Sequence, residues 1–442
     1  MKACIRGAIK TGRKGFFMVI KHAKRMECMK KWTTLCVTVV FLMAALKASC
    51  AAEIVIGFTG PLSGPAAEYG QDCLYGLDMA AKEINSAGGV SIKGKKHFFR
   101  IEKLDDRADP TQAKNNALRF VNQHRAVAVF NPVSTTLFAI MGIPQTRDRQ
   151  FIIGAYTSIH SVMQKKHPMI INAVSDFVTY VENMADQGRA GGWKKLAMLA
   201  TSGTYGEAWR KTFAEAWIAR GGQVIGDYPT NYYTETDFSA PLTAALAKKP
   251  DVLLIGGPSA TTALVVEQAR DKGFRGGLIL IDQAKPDYIA KTLGDVKLLE
   301  GMISTGAIGA LPLPSLPAYK KKFHAAYKRD ITSECVLHYS VLRVIAKTIQ
   351  ITGSAHPADI RANLHMALPV SGDELPSELF GIQENGHFLC GLVMQTVKDG
   401  SFSKVDYILS FPKTKEEFEK YKKMSKTAEP EMIRWAPAAK KD

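Results

Sequence analysis

The sequence predicts an α/β protein of two similar lobes, each a mainly parallel sheet flanked by helices. Three observations predict it. Short apolar runs bounded by glycine, proline and asparagine alternate with segments of helical periodicity, the pattern of a parallel sheet with crossover helices. The alternation restarts after Gly191-Gly192 with a second series of similar size. Some 390 residues follow an apolar leader, and single cores rarely exceed about 250–300 residues.

The leader comes first in order. Lys30 and Lys31 precede a nearly uncharged run from Trp32 to Leu46, followed by the small residues Ala48, Ser49, Ala51 and Ala52. That is the charged, apolar and small-residue succession of a secretory signal. The run falls short of the roughly 20 residues that span a bilayer. Residues 1–52 are therefore expected to be a signal region, with initiation at Met26 or Met29 accounting for the basic stretch before it. Cys50 would offer a lipid anchor, but Lys47 stands where lipoboxes carry leucine. The leader holds 11 Lys/Arg and one Glu, so of the formal +17 only about +7 belongs to the rest. No basic and aromatic cluster precedes the tail, and nucleic acid is excluded as a partner. The tail, Lys413 to Lys441, mixes Lys with Glu and is expected to be a solvated face.

The first lobe opens with a strand at Ile54–Phe58 and a glycine loop. Leu74, Leu77, Ala81 and Ile84 then form one helical stripe that stops at Gly88-Gly89. Phe98–Leu104 is a strand, and Asp109-Pro110 opens a helix with aspartate as N-cap and proline in the first turn. Strands at Ala126–Phe130 and Phe151–Ile153 flank a helix running to Thr146. The second lobe has strands at Lys195–Ala200, Gln223–Asp227, Val252–Ile255 and Leu278–Ile281. Helices at Gly206–Arg220, Phe238–Ala247 and Ser259–Lys272 lie between them. A proline-rich connection, Leu311 to Pro317, leads to a helix carrying Leu337, Val341, Val344, Ile345 and Thr348 on one face. Strands near Phe388–Val397 and Phe402–Ile408 flank a Lys398-Asp-Gly400 hairpin signal.

In doubly wound sheets ligands sit beyond the carboxyl ends of strands, so the loops carry the candidates. The opening loop is no phosphate cradle. Gly57, Gly60 and Gly64 fit neither glycine-rich phosphate motif, no lysine is placed for a phosphate, and Pro61 and Pro65 remove two amide donors. The ten histidines make no H-x-H or H-E-x-x-H spacing and no C-x-x-C occurs, so neither a metal nor any other cofactor is expected. Cys73, Cys335 and Cys390 are expected to be free or buried thiols, Cys335–Cys390 being the one pairing worth testing.

The run IVIGFTGPLSGPAAEYGQDCLYGLDMAAKEINSAGGV resembles the opening of periplasmic solute-binding proteins of the leucine/isoleucine/valine type, served by ABC importers. The resemblance continues through LDDRADPTQAKNNALRFV, TYGEAWRKTF, IGGPSATTALVVEQARDKGF and VKDG, over nearly the whole chain past the leader. It implies the type I periplasmic-binding fold, with three crossovers near residues 174, 305 and 382 and hinge closure on a ligand. Residues 53–174 plus 306–382 would form one lobe, and 175–305 plus 383–442 the other. It also implies a monomer in the periplasm, a small-molecule ligand and permease subunits in the inner membrane as partners.

By the same resemblance, Ser134 and Thr135, then Ala155 and Thr157, would hold a ligand carboxylate through hydroxyls and backbone amides. Amides at a helix start do this without a cationic side chain. Ser134 could equally serve as an ordinary N-cap. Tyr69 and Tyr205 match positions facing the ligand, and Phe130 and Tyr156 could join them. Relatives that bind amino acids carry a tyrosine where Pro258 or Ser259 stands here, and an ammonium-pairing glutamate where Gln283 stands, beside Asp282. A buried ammonium without a carboxylate is costly. If Asp282 does not turn inward, the solute is a carboxylate or amide without an amine, such as an aromatic acid; if it does, an amino acid is expected. Ala108 and Val133 replace the family's early disulfide. Two rivals stand beside transport. One is a ligand sensor for a membrane receptor. The other is an enzyme, disfavoured because Asp105 and Asp106 point to opposite faces of a strand end and no G-x-S-x-G occurs.

Overall fold

The computed structural model describes residues 52–436, so the leader, Met26, Met29 and Cys50 lie outside the described residues. The first sheet is built from β1 (Ala52–Gly60), β2 (Val90–Ile92), β3 (Lys95–Asp105), β4 (Ala128–Asn131), β5 (Ile152–Ala155) and β6 (Ile170–Asn172), in the order β2-β3-β1-β4-β5-β6. The pairs β1–β4, β4–β5 and β5–β6 are parallel. The second sheet starts with β7 (Lys195–Met198), β8 (Gln223–Asp227), β9 (Val252–Ile255), β10 (Gly277–Leu280) and β11 (Met302–Thr305). These lie in the order β8-β7-β9-β10-β11, the first sheet's scheme repeated. Two small strands follow, β12 (Gly381–Ile382) and β13 (Phe388–Leu389), paired with each other. β14 (Leu392–Lys398) then joins β11 antiparallel, β15 (Ser401–Phe402) closes the predicted hairpin on it, and β16 (Asp406–Leu409) pairs on its far side. A last strand, β17 (Ile433–Trp435), adds parallel to β16. This is the doubly wound, two-lobed α/β architecture the sequence predicts.

The chain moves between the sheets after β6, after β11 and after β13. The third passage was expected near residue 382. Instead β12 and β13 intervene, His387 bridges Asn172 at the end of β6, and the chain enters the second sheet at Leu392.

The helix stripe of Leu74, Leu77, Ala81 and Ile84 is buried within Ala67–Ser86. It packs on Ser333–Thr352, whose Val341, Val344, Ile345 and Thr348 are also buried. Gly76 sets that contact: a Cβ there would lie 2.2 Å from the Cys335 carbonyl oxygen, so only glycine lets the backbones touch. Asp109 caps the helix Pro110–His124 by accepting from the Gln112 amide at 2.7 Å. The helix after β4 stops at Met141 rather than Thr146, because Ile143 precedes Pro144 and is pushed out of the helical region. The tail departs from the expected solvated face. Helix Lys415–Met424 buries Phe418, whose ring stacks on Trp435 at 5.9 Å. Cys73, Cys335 and Cys390 are free and buried. Among the described residues no helix is long and apolar enough to cross a membrane.

Candidate functional site

The repeated strand order reverses direction between β1 and β4 in one sheet and between β7 and β9 in the other. Crevices open beyond the carboxyl ends of strands at such points. On the first lobe the crevice is framed by a buried network. Asp106 accepts from the Thr59 hydroxyl at 3.0 Å, the Asn131 amide at 3.1 Å and the Ala108 backbone at 2.9 Å. Loss of water pushes its carboxyl up to about 6. Asp105 points elsewhere and takes the Leu62 and Arg107 amides at 2.9 Å. Both carboxylates hold loops, each through its own set of donors. Asn131 Oδ1 in turn receives the Val133 amide at 3.1 Å and the Thr136 hydroxyl at 2.8 Å, fixing the start of helix Ser134–Met141.

Ser134 is not that helix's N-cap. Val133 occupies the cap position without a side-chain bond, and the Ser134 hydroxyl meets the Thr157 hydroxyl at 2.7 Å. Parallel pairing of β4 with β5 creates this contact by setting Asn131 beside Ala155. Asn172, at the end of β6, donates to the Thr157 carbonyl at 2.6 Å and holds the loop in place. Two hydroxyls beside a helix start make a corner of neutral polar groups, a kind of setting in which an anion can be held without a cation. Tyr69 donates to the Pro132 carbonyl at 2.9 Å, and its ring meets Tyr156 edge-on at 6.3 Å.

The second lobe brings charge. Asp282, 9% exposed, follows β10 and accepts from the Tyr205 hydroxyl and from Trp209 Nε1, the latter at 3.1 Å. Burial holds its carboxyl above the usual range, and the neighbouring Lys285 ammonium opposes that rise. Gln283 donates to the Tyr233 hydroxyl at 2.9 Å, and its backbone amide donates to Tyr205 at 3.2 Å. Gly206 lets Tyr205 sit close over the strand end, since a Cβ there would overlap the Thr201 carbonyl at 1.6 Å.

Tyr69, Ser134, Tyr156, Thr157, Tyr205, Asp282 and Gln283 border one cavity of about 30 Å³. Thr135, Ala155 and Ser259 do not line it. The Thr135 methyl lies 3.5 Å from where a Cβ on Gly203 would stand, Ala155 ends β5 within the sheet, and Ser259 accepts from the Lys285 amide at 3.0 Å. Phe130 packs behind the wall against His338, ring centroids 5.8 Å apart.

Sequence reasoning missed Ser158, Tyr233 and Lys285, which share that wall. It also missed Glu334, paired with the Lys285 ammonium at 3.0 Å, both side chains buried. A glutamate inside the otherwise apolar start of helix Ser333–Thr352 was the available signal. Glu68 was missed too. Its carboxylate reaches from the first lobe to the Ala260 amide at 3.0 Å, at the start of helix Ser259–Asp271. Among the described residues no group of three or more His, Cys, Asp or Glu is placed to hold a metal ion.

An amino acid binding protein of Pseudomonas aeruginosa is 26% identical over 316 residues, which span 70% of this chain and 81% of that one. A leucine-binding protein, LivK, from Thermotoga maritima superposes with a TM-score of 0.66 at 22% identity, covering 80% of this chain and 97% of its own. A solute-binding protein of an ABC transporter from Rhodopseudomonas palustris, solved with benzoate, gives a TM-score of 0.66 at 16% identity, covering 80% and 95%. These two structural likenesses carry the fold. The family model described as periplasmic binding protein matches residues 53–401, most of the sequence. With the repeated sheet order and the cleft at both switch points, that match makes this chain a member of the periplasmic binding protein family.

Proposed function

We propose that this protein is the exported substrate-binding component of an ABC importer, capturing an amino acid in the cleft by closure of its two lobes. One observation carries the choice of solute: Asp282 borders the same small cavity as Ser134 and Thr157, whose hydroxyls meet at 2.7 Å. A zwitterion fits that pair of ends, its carboxylate at the hydroxyls and helix start, its ammonium at Asp282. The tyrosines 69, 156, 205 and 233 supply walls for a side chain. The name of the Pseudomonas relative, an amino acid binding protein, supports the same solute class. Location in the periplasm, delivery to permease subunits in the inner membrane and a monomeric state follow from this role.

A second solute class is favoured by Gln283, which stands where amino-acid binders carry glutamate, and by the benzoate-bound structural neighbour. Under it the solute is a carboxylate without an amine. Calorimetric titration with amino acids and with amine-free acids of matched shape separates the two. Tight binding of the zwitterions alone supports Asp282 as ammonium partner. Binding of neither, or conversion of a bound solute into product, overturns the proposal.

A further inference from the structure

Behind the solute cavity lies a second one of about 60 Å³, reached by the crossover residues Val174 and Ser175 and by Leu337. Tyr156, Val174, Asp282 and Lys285 belong to both walls, so these four residues separate the two spaces. Three of them stand at strand ends or in a crossover. Lys285 alone spans the cleft with a long side chain. Its backbone is pinned by the Ser259 hydroxyl, and its ammonium donates to the Asp282 carbonyl at 2.6 Å, the Gln283 carbonyl at 3.2 Å and Glu334 Oε1 at 3.0 Å. An ammonium has three donors, and all three are spent. Glu334 Oε1 also receives the Tyr156 hydroxyl at 3.3 Å, whereas Oε2 is buried without a partner. Lys285 follows a strand of the second sheet and Glu334 opens a helix packed on the first, so the pair joins the lobes.

A fully satisfied ammonium cannot take hold of a solute. It can only stand as a wall. We propose that Lys285 is a specificity-determining residue: bound to Glu334, its side chain closes the rear of the solute cavity and restricts the protein to short solutes. This rests on the small-solute function proposed above. The limit acts on whatever extends from the Ser134–Thr157 end, so it holds for amino acids and for amine-free acids alike.

The test titrates two homologous series calorimetrically, straight-chain amino acids from alanine to norleucine with ornithine and lysine added, and straight-chain carboxylic acids of the same lengths. In the unmodified protein, affinity falls about tenfold or more between short and long members of the series that binds. Lys285→Ala joins the two cavities and raises affinity for the long members by about tenfold. Ornithine and lysine gain most, because their side-chain ammonium replaces the missing one at Glu334. Adding Glu334→Gln removes that extra gain and leaves the gain of norleucine. Should the alanine variant fail to fold, Lys285→Gln keeps a hydrogen bond to Glu334 on a shorter stem and still relaxes the length limit in part. Equal affinity for long and short members in the unmodified protein overturns the inference. So does a Lys285→Ala variant that binds short members and gains nothing for long ones. Binding of neither series overturns the proposed function, and the inference falls with it.

Discussion

Replacing Asp282 by asparagine separates two things that burial couples, the charge of the cleft and its shape. Asparagine keeps an oxygen to accept from the Tyr205 hydroxyl and Trp209 Nε1, so the local geometry survives. Only the charge is lost. Removing one partner of a buried ion pair costs about 3–5 kcal/mol. The low end applies, because the carboxylate already shares its charge with two donors. At about 3 kcal/mol, Kd for the preferred amino acid rises by roughly two orders of magnitude. The free protein responds in the other direction. Burial holds the Asp282 carboxyl above the usual range, so the ionised group is disfavoured when no solute is present. The neutral variant should therefore melt no lower than the parent. Calorimetric titration and thermal unfolding of both chains measure the two effects. An amine-free acid of the same shape serves as control and should lose nothing. If the amino acid changes by less than about threefold, or the control weakens equally, Asp282 is not the ammonium partner.

Ser134→Ala and Thr157→Val should each weaken solute binding about tenfold, by loss of one hydrogen bond to a charged group. The double variant should cost less than the sum, since the hydroxyls bond each other at 2.7 Å. Stability should also depend on pH through Glu68. The surrounding protein strips water from it, Asp72 adds repulsion, and its pKa rises from the ordinary 4.5 to about 8. The folded chain keeps the proton between those values and the unfolded chain does not. This contribution is therefore full below about 4.5 and lost as pH rises through about 8. Denaturant melts across that window should show a falling trend that Glu68→Gln flattens, and an unchanged trend would refute it. Gly76→Val should lower the thermal midpoint by the equivalent of about 1–3 kcal/mol or more, because the clash is with the Cys335 backbone and cannot rotate away. A midpoint equal to the parent's would show that the helices can part without penalty.

Much of the fold was legible because it is written in local period and punctuation. Gln223–Asp227 and Val252–Ile255 are apolar or alternating runs between glycine, lysine and proline stops, and the strands match them residue for residue. β6 was missed because three residues, Ile170–Asn172, are too few to show a period. Helix Val178–Ala190 was missed although its buried Val181, Met184, Ala185 and Gly188 keep helical spacing, because it sits where a crossover was expected. β17 hid among the lysines of the tail. The site was legible only by likeness. Nothing local in Ser134 announces Thr157, since sheet pairing alone brings them together. Lys285 and Glu334 lie on different lobes, and no spacing rule links them.

The hydroxyl corner and the rest of the cleft differ in chemistry, and the mismatch bears on why the lobes would close. The first lobe offers neutral hydroxyls and a helix start, at Ser134 and Thr157. Elsewhere in the cleft, however, the carboxylates of Asp72 and Glu334 on the first lobe and Asp282 on the second are buried, and Glu68 of the first lobe is half-buried. Among the described residues, Lys285, bound to Glu334, and Arg329, 2.9 Å from Asp72, are the bases that oppose them. Acids outnumber bases, and buried charge without a partner is costly. An empty cleft therefore gains little by closing unless an acid takes up a proton; Glu68 and Asp72, pushed up to about 8 and about 7, and Asp282, raised by burial, are the groups placed to do so. A zwitterionic solute changes the balance. Its ammonium neutralises Asp282 while its carboxylate rests on neutral donors, so the solute itself asks for no proton beyond the one Glu68 holds in the folded chain. An amine-free acid adds a negative charge to the same space and should bind with proton uptake. Running the Asp282 titrations in two buffers of different ionisation heat distinguishes these cases. Equal proton uptake for both solute classes would refute the charge balance as the reason the lobes close.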